Sequence, residues 1–171
     1  MEVNKKIAAA MVGLGAAARL LPHPWNFTPL VAMGLYAGAK SGKLRMGVLA
    51  TLGAVAASDL ILGFTRDIWW LYPAFLIPVL VGRLVRRSEN VASIAAGGLI
   101  SSLAFFLVTN FMTWATRGLY PHTPAGLAAC FAAGIPFYRN QLLGDVFYVV
   151  ALFGGHAMIQ RLVRSSAPRT A

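Results

Sequence analysis

A few ionisable and amide side chains interrupt the long apolar runs of this 171-residue sequence: Arg19, Asp59, Asn110 and Asp145. Such groups are costly in an apolar environment, so each of them needs a partner or a purpose. Arg19 with Asp59 or Asp145 can form an ion pair that joins two helices. The same side chains can also hydrogen-bond a polar ligand. Both interpretations stay open, because a structural ion pair and a ligand contact can coexist.

The connections between the apolar runs carry a second set of residues suited to holding a small polar solute. Amide and imidazole groups supply hydrogen bonds and aromatic rings supply stacking, as in most small-molecule sites. The candidates in this set are His23, Trp25, Asn26, Trp114 and Asn140. An aromatic belt at a membrane surface is the ordinary alternative for the two tryptophans, so they are the weaker candidates.

Motifs for catalysis and metal binding are missing from the sequence. It contains no HExxH, no GxSxG, no GxxxxGK[ST] and no cluster of histidines at metal-ligand spacing. Asp59 and Asp145 are a conceivable acid–base pair, but no nucleophile accompanies them. The single cysteine, Cys130, excludes an internal disulfide and a CxxC zinc site. We therefore predict no catalytic residues, no metal site and no cofactor, and we expect Cys130 and His156 to be packing residues.

The composition indicates a membrane protein with one transmembrane domain over residues 1–171. Hydrophobic residues make up 58% of the chain and charged residues 12%, whereas a soluble domain carries about a quarter charged residues. The net charge of +10 comes from short Lys and Arg clusters between the apolar runs. Such clusters are typical of the cytoplasmic ends of membrane helices, and no basic stripe suited to nucleic acid is present.

Six apolar runs predict an all-helical bundle of about six transmembrane helices. Their expected ranges are 7–21, 29–39, 46–63, 68–85, 91–114 and 143–160. About 20 apolar residues are needed to cross the hydrocarbon layer, so the first two runs are short. The first run also resembles a signal peptide, but a first span is the simpler interpretation because the rest of the chain is equally apolar.

The segment Pro124–Phe137 decides the predicted topology. As a full span it gives seven crossings, whereas as an extracytoplasmic half-helix or hairpin it gives six crossings with both termini in the cytoplasm. The segment is only 14 residues long, and the six-crossing topology puts 11 of the 15 Lys and Arg residues inside, which the positive-inside rule favours. These 11 are Lys5, Lys6, Lys40, Lys43, Arg45, Arg83, Arg86, Arg87, Arg161, Arg164 and Arg169. With six crossings, nearly all the polar candidates fall near the extracytoplasmic side, which predicts a pocket open to that side.

Small residues at Ala9, Gly13 and Ala17 form a ladder on one face of the first run. Such a ladder lets another helix approach closely. The ladder has two interpretations, packing within the bundle and docking of a partner protein, and the sequence leaves both open.

Four segments resemble one known family: Arg19–Pro29 (RLLPHPWNFTP), Ser58–Gly63 (SDLILG), Ser101–Phe111 (SSLAFFLVTNF), and Ile135–Asn140 (IPFYRN) followed by Gly144-Asp145. The family is DUF6580, small bacterial membrane proteins of unknown function that are classed with transport proteins. It is similar in turn to the substrate-binding S components of energy-coupling factor (ECF) transporters. That similarity implies a six-helix fold, an outward-facing pocket, and a separate energising transmembrane protein with two ATPases.

We therefore expect a transporter or an S-component-like subunit in the bacterial inner membrane, binding a small solute such as a vitamin or cofactor precursor. The recognised segments nominate Arg19, His23, Asn26, Asp59, Asn110, Asn140 and Asp145. Since the chain has no phosphate loop, ATP-driven transport needs an ATPase on another chain. The alternatives are a membrane assembly factor with a protein-binding outer face and a small membrane enzyme. A pocket lined by the nominated residues favours the transporter, whereas a flat and filled face favours the assembly factor.

Overall fold

A computed structural model describes residues 5–88 and 90–165, and the elements within those ranges are helical. The helices are α1 (Lys5–Leu20), α2 (Leu30–Lys40), α3 (Leu44–Leu62), α4 (Ile68–Ala74), α5 (Leu76–Val85), α6 (Val91–Thr116), α7 (Pro124–Val149) and α8 (Gly155–Ser165). A π-helical turn, Val150–Gly154, joins α7 to α8. The predicted cytoplasmic residue Arg169 lies outside the described ranges.

Four helical stretches are long and apolar enough to cross a membrane: Leu44–Leu62, Ile68–Val85, Val91–Thr116 and Pro124–Ser165. This agrees with the predicted all-helical, multi-pass protein. By contrast, α1 has 16 residues and α2 has 11, so both are shorter than the about 20 residues needed to cross the hydrocarbon layer.

The short helix α2 forms the centre of the bundle. Every residue from Leu30 to Ala39 is buried, because the helix is apolar on all sides and has no face to present to a polar solvent. It packs against α3, α5, α6, α7 and the π-helical turn. At a rise of 1.5 Å per residue it is about 17 Å long, so the bundle is filled at its centre over only part of its height.

Two glycines bring the backbones of α2 and α5 into direct contact. A Cβ atom at Gly38 would overlap the carbonyl oxygen of Val79, and a Cβ atom at Gly82 would overlap that of Leu35. Arg83 on α5 and Arg86 just after it also donate from Nη1 to the carbonyl oxygen of Ser41, just after α2. The two helices are therefore fixed to each other by backbone contact as well as by side-chain packing.

For the segment 124–137 the sequence predicts a half-helix or a hairpin, and the hairpin alternative is wrong. The segment is helical, but it is continuous with the last predicted span, because the chain from Pro124 to Ser165 is one helical stretch. That segment is the first half of α7, which Thr123 caps by accepting from the Gly126 amide at 3.1 Å. Pro136 does not end the helix, because α7 packs along α6, with Phe106 against Phe131 and Tyr138 at centroid distances of 5.7 and 4.5 Å. Packing against a neighbouring helix can compensate for the hydrogen bond that a proline removes.

The small-residue ladder of α1 faces away from the bundle. Ala9, Gly13 and Ala17 are all exposed, and a Cβ atom at Gly13 would meet no other atom within 4 Å. The interpretation of the ladder as packing within the bundle is therefore wrong. The helix uses its other face, with Ala8, Met11, Gly15 and Ala16, for that packing.

His156 and Cys130 are buried, as expected of packing residues. His156 contacts the hydroxyl of Tyr36 through Nδ1 at 2.8 Å and the amide of Gln160 through Nε2 at 3.0 Å. The Cys130 thiol donates to the carbonyl oxygen of Asn110 at 3.4 Å.

The backbone contact of α2 and α5 gives a first prediction. Gly82→Ala should destabilise the protein by about 1–3 kcal/mol or more, because the new methyl group has no space beside Leu35. Gly13→Ala is the matched control and should be neutral or stabilising by up to about 1 kcal/mol, since alanine favours the helix. Thermal unfolding in detergent measures both, and equal midpoints for the two variants would show that the contact is not required.

Candidate functional site

A pocket of about 370 Å³ lies at the end of the bundle where α1 and α3 end and α2 begins. We call this the pocket end. Helices α1, α2, α3, α4, α6 and α7 and the 21–29 connection all contribute to its wall, together with Phe75 between α4 and α5. The lining residues are Arg19, His23, Asn26, Thr28, Leu30, Val31, Leu62, Leu71, Phe75, Phe105, Thr109, Gln141 and Asp145. The first turn of α2 forms part of this wall, so the pocket occupies space that a longer central helix would fill.

The 21–29 connection is fastened to α7 by aromatic contacts. Trp25 stacks on Phe137 with their ring centroids 5.7 Å apart. Phe27 packs so closely on Gly144 that a Cβ atom there would meet the Phe27 Cα at 3.2 Å. Asn26 has a φ of 62°, a left-handed conformation that asparagine tolerates better than most residues. This conformation belongs to the bend that brings Asn26 to the pocket.

His23 contributes a ring nitrogen that can accept a hydrogen bond from a ligand. Its Nδ1 lies 2.6 Å from the carbonyl oxygen of Leu21. A carbonyl oxygen only accepts, so Nδ1 carries the hydrogen, and in a neutral ring Nε2 is then an acceptor.

Arg19 is anchored by a carboxylate on a neighbouring helix. Its Nη1 lies 2.7 Å from Asp59 Oδ1 and 2.6 Å from Ser58 Oγ. Asp59 accepts a second hydrogen bond, from the Tyr72 hydroxyl to Oδ2 at 2.9 Å. The predicted ion pair is therefore present with Asp59, and it ties together α1, α3 and α4. All the described hydrogen bonds of Arg19 use Nη1, which leaves Nε and Nη2 available toward the pocket.

Asp145 is the second carboxylate of the pocket, and its environment differs from that of Asp59. It is only 2% exposed, and no donor among the described residues is in hydrogen-bond geometry with either of its oxygens. The side chains of Ser102 and Gln141 lie close enough to interact with the carboxylate electrostatically. Gln141, one helical turn earlier on α7, donates from Nε2 to the carbonyl oxygen and hydroxyl of Ser102 at 3.0 and 3.1 Å. The amide hydrogens of Gln141 are therefore engaged with α6.

Apolar and aromatic side chains form the rest of the wall. Phe75 and Phe105 lie against each other with centroids 4.8 Å apart, and Leu62, Leu71, Leu30 and Val31 complete this surface. A mainly apolar cavity with a few converging polar groups is the usual form of a site for a small molecule.

Of the nine candidate residues from the sequence, four line the pocket and five do not. Arg19, His23, Asn26 and Asp145 face the cavity, and Asp59 lies behind Arg19 as its anchor. The other four are outside the lining: Asn110, Asn140, Trp25 and Trp114. Asn110 donates to the Phe106 carbonyl oxygen at 2.9 Å, and Trp114 donates to that of Pro121 at 2.9 Å, so both are used within the α6–α7 pair.

Sequence reasoning missed Gln141, Tyr72, Phe75 and Phe105. Gln141 is four residues before Asp145, so the two side chains lie on one face of a helix. This spacing could have identified Gln141 as a pocket candidate. The other three look like ordinary apolar or aromatic residues of a membrane helix. Only tertiary packing places Phe75 and Phe105 in the pocket wall and Tyr72 against Asp59. Thr109, also in the wall, donates to the Phe105 carbonyl oxygen of its own helix at 2.8 Å.

Over residues 5–88 and 90–165, no group of three or more His, Cys, Asp or Glu side chains is placed to hold a metal ion. The polar, charged and aromatic side chains that line the pocket can supply hydrogen bonds, charge pairing and aromatic contact.

Comparisons with known proteins give one match. Residues 2–167 match a family described only as a family of unknown function, DUF6580. No curated protein and no solved structure matches the chain.

The anchored arginine gives a second prediction. Asp59→Asn should destabilise the protein by about 2–3 kcal/mol, because it leaves the half-buried Arg19 without its counter-charge. Asp67→Asn is the control, since it leaves without a partner Arg117, which pairs with Asp67 at 2.6 Å and is 48% exposed, and it should cost about 1 kcal/mol or less. Thermal unfolding in detergent compares the two, and a larger loss for Asp67→Asn would contradict the anchoring role of Asp59.

Proposed function

The chain belongs to DUF6580, a family of unknown function, and we propose that it is a solute-binding membrane protein of the bacterial inner membrane. It captures a small solute at the extracytoplasmic face, either as a transporter or as an S-component-like subunit of one. Release to the inside follows a shift of the bundle toward a second conformation.

One observation carries this proposal, the pocket at the end of α2. Its volume of about 370 Å³ suits a small organic solute. Charged, amide and imidazole groups from separate elements converge in it, although each of them is costly at membrane depth. An assembly factor needs no such cavity, because a protein partner would contact a filled surface. The pocket therefore supports the solute-binding function over the assembly function.

The proposed topology has six crossings, with the pocket end outside and both termini inside. The short helix α2 is compatible with a crossing, because protein surrounds it and its length need not match the bilayer. The six-helix arrangement of an ECF S component remains part of this proposal.

Coupling to an energising partner is a further part of the proposal. The exposed ladder of Ala9, Gly13 and Ala17 supports it, since Gly13 leaves room for the close approach of another helix. The chain has no phosphate loop, so an ATPase would have to come from that partner.

Solute capture can be tested by filling the pocket. Purified protein is incubated with the small-molecule fraction of a bacterial extract, washed and denatured, and the released compounds are identified by mass spectrometry. Thr109→Trp puts a large side chain into the cavity and should reduce retention by about tenfold or more.

Thr116→Trp is the matched control for this experiment. Thr116 is exposed and bonds its own helix as Thr109 does, donating to the Met112 carbonyl oxygen at 2.7 Å. The control should retain the same compounds as the wild type. If the wild type retains no compound that Thr109→Trp loses, the proposed function is wrong.

The topology can be tested by cysteine labelling in a Cys130→Ala background. Leu119→Cys, in the exposed connection between α6 and α7, should react with a membrane-impermeant maleimide on intact cells. Arg161→Cys, on α8, should react only after the cells are permeabilised. Labelling of Arg161→Cys from outside would exclude the six-crossing topology.

A further inference from the structure

We infer that the solute bound in this pocket carries a positively charged amine, which pairs with the carboxylate of Asp145. This inference rests on the proposed function and adds the chemical class of the solute. Its basis is the contrast between the two aspartates at the pocket end, one satisfied by protein groups and the other unpartnered.

The carboxylate of Asp145 is buried without compensation. The residue is 2% exposed, and both of its oxygens lack a hydrogen-bond partner among the described residues. A buried carboxylate is unfavourable unless a cation or several hydrogen-bond donors face it. Because Asp145 borders the pocket, a ligand there can supply the missing group.

Three polar side chains of the pocket wall have acceptors other than Asp145. Arg19 pairs through Nη1 with Asp59 at 2.7 Å, and Gln141 gives its amide hydrogens to Ser102. Thr109 donates its hydroxyl hydrogen to the carbonyl oxygen of Phe105. None of these bonds goes to Asp145, so a ligand in the pocket can supply its counter-charge.

A second cavity, of about 190 Å³, also borders Asp145, between α6 and α7. Its other lining residues are apolar, with Ala95, Gly98 and Leu99 on α6 and Leu142, Val146 and Val149 on α7. This cavity therefore offers the carboxylate no counter-charge from the protein, and the polar groups that suit an amine line the first pocket.

The charges around the pocket favour a cation. Arg19 and Asp59 cancel, which leaves the negative charge of Asp145. The first turn of α2 adds about half a positive charge at most, less than the carboxylate contributes. The rings of Phe75 and Phe105 in the wall also attract a cation through their π-electron faces. An amine on an apolar or aromatic body matches these features.

A matched series of three small probes tests the inference: 2-phenylethylamine, 2-phenylethanol and phenylacetate. They share an aromatic body and differ in charge. Binding to the purified wild-type protein is measured by thermal stabilisation as a function of probe concentration. The amine should bind about tenfold or more tightly than the alcohol, as expected for a hydrogen bond between charged groups, and phenylacetate should bind most weakly.

Asp145→Asn tests whether Asp145 is responsible. The variant keeps the shape of the side chain and removes its charge, so it should lose the preference for the amine. Without ligand it should be at least as heat-stable as the wild type, because an uncompensated charge is gone. Asp67→Asn removes a carboxylate outside the pocket lining and should retain the preference for the amine.

The outcomes separate this inference from the proposed function. If 2-phenylethylamine binds the wild type no better than 2-phenylethanol, or if Asp145→Asn keeps the preference, the inference is wrong. The proposed function stands in that case if the wild type still retains a compound that Thr109→Trp loses. If Asp145→Asn does not fold, the comparison of the three probes on the wild type decides alone.

Discussion

The burial of a short helix at the centre of the bundle is the constraint on which the rest of this structure depends. Helix α2 is apolar on all sides and must be enclosed, and its contact with α5 at Gly38 and Gly82 fixes its position along the bundle axis. At about 17 Å it is only about half as long as the hydrocarbon layer is thick. The surrounding helices extend past its first turn, and the space that remains above this turn is the pocket.

The two aspartates at the pocket end show how the same residue type can serve different purposes. Asp59 accepts hydrogen bonds from Arg19 and Tyr72 and joins three helices. Asp145 has no donor in hydrogen-bond geometry within the part of the chain that the structure describes. A protein selected for stability alone would fill or neutralise such a position, so an uncompensated carboxylate beside a cavity is the kind of local inconsistency that functional sites display.

Much of this arrangement could be predicted from the sequence, and the limits have physical causes. The helices follow from long apolar runs, and the pairing of Arg19 with an aspartate follows from the cost of an isolated charge. The continuity of α7 could not be predicted, because Pro136 and the polar residues after it indicate the end of a helix in the sequence. Only the packing of α6 against α7 shows that the helix continues. Phe75 and Phe105 could not be recognised as pocket residues, since their direction is set by contacts between helices distant in sequence. The face used by α1 was misjudged for a similar reason, because small residues permit close packing on either side.

The position of the pocket on α2 has a consequence for how proteins of this family can diverge. Leu30 and Val31, in the first turn, border the cavity, whereas Gly38, two turns deeper, carries the backbone contact with α5. Under the proposed function, recognition and structural integrity thus depend on opposite ends of one helix. Mutational drift at the first turn can reshape the cavity for a new compound without disturbing the glycine contact. The architecture therefore allows ligand preference to change among descendants while the scaffold is inherited intact.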